Sequence, residues 1–67
     1  MKLFYVTGDD RKELCEADTR EEIDKFMYQY LKEVLKYTSY YQREWNVPPD
    51  ETYIDYGSHT EFFVIKK

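Results

Sequence analysis

Ile23, Phe26, Met27, Tyr30, Leu31, Val34 and Leu35 recur at three- and four-residue steps, which places all seven on one helical stripe ~100° wide or more. Thr19 with Glu22 three residues on is a capping box: the hydroxyl accepts an orphan backbone N–H and the glutamate reaches back. The helix therefore starts there. Glu21, Glu22 and Asp24 occupy its first turns, where they complement the helix dipole. With no glycine to mark the end, its boundary is expected between Lys36 and Ser39. Such a stripe is core before it is a ligand groove, and it needs a second element to bury it.

That element is a sheet. "KLFYVT", residues 2 to 7, is a β-branched and aromatic run ended by the turn signal Gly8-Asp9-Asp10, and residues 11 to 17 read as its charged hairpin partner, with Leu14 on one side and Cys15 and Ala17 on the other. After the helix, "SYYQREWN" alternates, with Tyr41, Arg43 and Trp45 on one face and Tyr40, Gln42 and Glu44 on the other. Val47-Pro48-Pro49-Asp50 breaks it. "TEFFVIKK" closes the chain as a strand with Phe62 and Val64 on one face and Phe63 and Ile65 on the other. The expected fold is one α+β domain over residues 1 to 67: an antiparallel sheet of three to four strands in ββαββ order with one helix on one face.

The first and last strands are apolar on both faces, and a helix ~10 Å across shields about two strands spaced ~4.8 Å apart. A second cover is expected, either the loop "DETYIDYGS" folded back as a lid or another protein on an exposed aromatic patch. A domain of 67 residues buries only ~60% of its unfolded surface. Eight Tyr, four Phe and one Trp are therefore wanted first as dense apolar area.

A net charge of −4 disfavours nucleic acid and anionic membrane surfaces as partners, because phosphate contacts dominate that affinity. The lone Cys15 excludes an internal disulfide and points to a reducing cytoplasm. The N-terminal apolar run is too short for a signal peptide, and nothing is long enough to span a membrane. Residues 9 to 24 gather Asp9, Asp10, Glu13, Glu16, Asp18, Glu21, Glu22 and Asp24, which reads as a solvated surface or as an acidic mimic of nucleic acid. Lys25, Lys32 and Lys36 share a helix side. With Arg43 and the tyrosines they form the alternative reading, a track for single-stranded nucleic acid.

Asp55, Ser58 and His59 contain the residue types of a hydrolytic triad, but all three lie on one short segment, and a triad needs its carboxylate and nucleophile held on separate supports. No catalytic residue is assigned, so the expectation is a protein that is not an enzyme. The spacing of Cys15 and His59 gives no zinc set, and no calcium-loop pattern is present. No metal or other cofactor is expected.

The run Ile54-Asp55-x-Gly57-Ser58-His59-x-x-Phe62-Phe63-x-Ile65 resembles one found in small uncharacterised accessory proteins of phages and mobile elements of Gram-positive bacteria. The resemblance implies a cytoplasmic, non-structural protein that binds a host or phage protein. It also implies that Asp55, Gly57, Ser58 and His59 form one turn, with carboxylate and hydroxyl organising it and glycine supplying backbone freedom. The sequence thus reads as a small cytoplasmic interaction module that occludes a protein partner, or itself, through the sheet face without the helix, using Tyr5, Tyr41, Trp45 and Phe63.

Overall fold

The structure, a computed structural model, describes residues 1–36, 42–58 and 60–67. In chain order the elements are β1 (Lys2–Thr7), β2 (Asp10–Glu16), α1 (Arg20–Glu33), β3 (Arg43–Val47), β4 (Glu51–Asp55) and β5 (Glu61–Lys66). All strand pairs are antiparallel, in the order β2-β1-β5-β4-β3. The expected α+β class holds, but the sheet has five strands and the order is ββαβββ, not three to four strands in ββαββ order.

The strand left out of that expectation is β4. Pro48-Pro49 marks the end of a strand, and here it also marks the three-residue connection of a hairpin: Val47 faces Glu51, and the register runs on to Arg43 opposite Asp55. The segment expected as a loop or lid is thus an interior strand, bonded to β3 on one side and β5 on the other. Residues 39–41 of the strand expected after the helix lie outside the described residues.

Two-residue periodicity assigns the faces. Leu3, Tyr5, Phe63, Ile65 and Ile54, together with Tyr56 just past β4, are buried with Ile23, Met27 and Leu31 of α1. The core is rich in rings: Tyr5 lies 5.3 Å from Phe63 and 5.6 Å from Tyr30, and Tyr56 lies 5.4 Å from Phe63, measured between centroids. These spacings suit tilted aromatic pairs. The Tyr5 and Tyr56 hydroxyls share a hydrogen bond of 2.7 Å, which removes the cost of burying two polar tips. Thr52, buried at 4% exposure, donates to Asn46 Oδ1 at 3.0 Å.

Thr19 caps α1 as its spacing suggests, its hydroxyl accepting the Glu22 N–H. The helix ends at Glu33, before the expected boundary; Val34 and Leu35 both donate backbone N–H groups to the Tyr30 carbonyl, and Lys36 takes a left-handed φ of 62°. Val34 is therefore exposed, as is Phe26 at the stripe's margin. At the other end Arg20 ties the helix to the sheet, donating to both carboxylate oxygens of Glu44 on β3 and through Nε to Asp24 at 2.8 Å.

Between β1 and β2 the Gly8-Asp9 loop uses the positive φ of Gly8, 56°, as a two-residue hairpin requires. The register slips between Leu3 and Phe4, a bulge that leaves Leu14 unopposed. In consequence Leu14 and Cys15 both pack against the core, where strict alternation would have sent them to opposite faces.

Candidate functional site

The face turned away from α1 carries Phe4 and Val6 of β1, Phe62 and Val64 of β5, Tyr53 and Asp55 of β4, and Arg43 and Trp45 of β3, as the registers require. No helix and no lid lies on it among the described residues. Its middle is closed by an ion pair. Arg11 on β2 sits 5.4 Å over the Phe4 ring and donates to Glu51 on β4 at 2.8 Å. Val64, the partner of Phe4 across β1 and β5, is 0% exposed.

Toward β3 the face opens into a ladder of rings. Trp45 and Tyr53 lie 6.0 Å apart, and Tyr53 stacks on Phe62 at 5.2 Å with an interplanar angle of 23°. Trp45, at the end of the ladder, is 44% exposed. The three rings, with Asp55, Ser58 and Glu61, line a hollow of about 130 Å³, well short of the ~300 Å³ of a small-molecule pocket.

The rim of this hollow is set by a turn. Asp55 Oδ1 accepts the Gly57 N–H at 2.9 Å, Gly57 adopts φ 104°, and Ser58 Oγ accepts the Glu61 N–H at 3.2 Å and the Thr60 N–H at 3.4 Å. These are the Asx and Ser turn bonds that fix a strand-to-strand connection. The second Asp55 oxygen receives Arg43 Nη2 at 3.4 Å. His59 lies outside the described residues.

Of the residues expected to bind a partner, only Trp45 is described on this face. Tyr5 and Phe63 lie under α1, 7% and 0% exposed. Their strands alternate as expected, but the helix covers the face that holds Tyr5 and Phe63 and leaves Phe4 and Phe62 on the other. Tyr41 lies outside the described residues. Tyr53 and Phe62 take the places that Tyr5 and Phe63 do not. The signal for Tyr53 was its alternation with Thr52 and Ile54, masked by reading that segment as a loop.

The cations of the helix-free face are largely spoken for. Arg11 pairs with Glu51, Arg43 with Asp55, and Lys2 with Glu13 at 3.6 Å. The Arg11 bond holds the Glu51 carboxyl below the usual carboxylate range, and the Arg20 bond does the same for Glu44. Lys25, Lys32 and Lys36 are exposed on the helix side of the molecule, across the sheet from Tyr53. Burial, reinforced by Glu13, pushes the Cys15 thiol up, which disfavours its thiolate. Among the described residues no group of three or more His, Cys, Asp or Glu side chains is placed to hold a metal ion, and no helix is long and apolar enough to cross a membrane. Compared with known proteins, the chain matches no family model, no curated protein and no solved structure.

Proposed function

We propose that this protein is a small cytoplasmic interaction module that occludes a surface of a protein partner through the helix-free face of its sheet. The observation that carries this reading is the Trp45–Tyr53–Phe62 ladder: three contiguous rings, the outermost 44% exposed, on the paired strands β3, β4 and β5. Exposed aromatic residues on a rigid support are the usual anchors of protein interfaces, since they bring large area at little cost in side-chain entropy. The resemblance of residues 54–65 to phage accessory proteins agrees with a binding role and no chemistry.

Aromatic ladders also serve as platforms for single-stranded nucleic acid. Against that use, three cations on this face are already paired with carboxylates, and the chain carries a net charge of −4. The test is affinity isolation from the source cell with the wild-type chain and a Trp45→Ala/Tyr53→Ala variant at low and high salt, the captured protein being identified and its binding then measured with purified components. The expected result is a partner held at high salt by the wild type and lost by the variant. Equal binding by the variant removes the face from the account, and a complex that is nuclease-sensitive and dissolves steeply with salt favours nucleic acid.

A further inference from the structure

We propose, on the reading of the helix-free face as a protein-docking surface, that the hollow beside Trp45, Tyr53 and Phe62 captures an arginine side chain of the partner, with the guanidinium lying on the rings and bonding Asp55 in exchange for the chain's own Arg43, which is 64% exposed and reaches Asp55 at 3.4 Å. Three observations converge on this occupant. The hollow combines π-faces with a carboxylate, the two features that a cation on an aromatic surface requires. Asp55 is held in position by the Gly57 N–H at 2.9 Å, so it does not have to be ordered when a ligand arrives.

The third observation is that the same face already holds an arginine of its own in this way. The Arg11 guanidinium lies 5.4 Å over Phe4 and bonds Glu51 at 2.8 Å. The ladder with Asp55 repeats the accepting half of that arrangement with a looser donor, Arg43 at 3.4 Å against 2.8 Å for Arg11 on Glu51, and the hollow's volume of about 130 Å³ suits one planar cation with part of its stem. Arginine fits better than lysine because a planar guanidinium can stack on a ring and fork to a carboxylate at once, whereas an ammonium is a compact, strongly hydrated point charge. A nucleotide fits worse, since two carboxylates, Asp55 and Glu61, line the hollow and repel its phosphate.

The test titrates the purified chain with N-acetyl-arginine methylamide and with its neutral isostere, the citrulline derivative, following the Trp45 indole N–H and the backbone amides by NMR. Expected are saturable shifts centred on Trp45, Tyr53, Asp55 and Phe62, with a Kd on the order of millimolar, and affinity for citrulline at least ~10-fold weaker. Asp55→Asn keeps a side-chain carbonyl for the Gly57 N–H and should weaken arginine binding about tenfold while leaving the remaining spectrum in place. Should that variant lose its fold, Phe62→Leu, which removes one ring of the ladder, serves instead. Equal shifts from arginine and citrulline, no shifts at Trp45, or stronger shifts from adenosine monophosphate each overturn the proposal. The two readings fail separately: loss of the partner in the Trp45 variant with no response to arginine sinks only the subsite, while a response to arginine with a partner indifferent to Trp45 sinks only the docking surface.

Discussion

Arg11 on β2 and Glu51 on β4 meet at 2.8 Å although β1 and β5 lie between their strands. At ~4.8 Å per strand the strand axes are ~14 Å apart, farther than the two side chains reach across a flat sheet. Contact requires the diagonal corners of the face to curl toward one another, as the twist of an antiparallel sheet allows. The pair then serves as a strap over Phe4, and it takes the place of a second layer.

Replacing Arg11 should separate the charge of this strap from its cover. Arg11→Met keeps an apolar stem over Phe4 and should cost no more than ~1 kcal/mol, the worth of a partly exposed ion pair. Arg11→Ala also uncovers Phe4 and should cost about 1 kcal/mol more. Urea unfolding of both variants checks the difference.

Acid should release the same strap. The Glu51 carboxyl is depressed by its bond to Arg11, so its contribution is full above the unfolded-state value of ~4.3 and is lost as pH falls through the lower folded value. Glu51→Gln should therefore flatten the fall in Tm below about pH 4.3 relative to wild type, and Glu44→Gln should do likewise through Arg20. Calorimetric scans across that range decide it.

Phe63 and Trp45 should part company in stability. Phe63 is 0% exposed among Leu3, Tyr5 and Ile54, and Phe63→Ala should cost ~3–5 kcal/mol, enough to unfold most of so small a domain. Trp45→Ala, at the 44% exposed end of its ladder, should cost under ~1.5 kcal/mol. Denaturant midpoints of the two variants test the assignment of faces.

Alkali should unfold the protein through the buried hydroxyl pair. Burial first, and then its bond to Tyr56, push the Tyr5 phenol far above its ordinary value. A raised folded value means that the stability is present below the unfolded value of ~10 and is lost as pH climbs past it. Tyrosinate absorbance should show one component that appears only with loss of near-ultraviolet circular dichroism. Tyr56→Phe should lower stability by about 1 kcal/mol at neutral pH.

The two glycines should tolerate substitution unequally. Gly8, at φ 56° with nothing within 4 Å of an added Cβ, lies in the left-handed region that asparagine also visits, so Gly8→Asn should cost under ~1 kcal/mol. Gly57, at φ 104°, lies where side chains are strained, and Gly57→Ala should cost ~1–3 kcal/mol. Thermal melts compare them directly.

Local spacing determined much of this protein. The three-and-four stripe with its Thr19 cap specified α1, and two-residue alternation separated Phe62 from Phe63 and Glu44 from Trp45, because periodicity is a property of neighbours along the chain. Glu33 as the last helical residue, the bulge at Leu14 and the strand β4 were not legible in that way. Pro48-Pro49 looks the same whether it ends a strand region or joins two strands, and only pairing with β5 on the far side decides between them. Which face the helix takes was also left to the tertiary structure. Both faces of β1 and β5 are apolar, so their sequences do not choose between Tyr5–Phe63 and Phe4–Phe62. The choice follows from where the strand order brings Ile54 and Tyr56 beside Phe63, and from Arg11 and Glu51, 40 residues apart, closing over the other side.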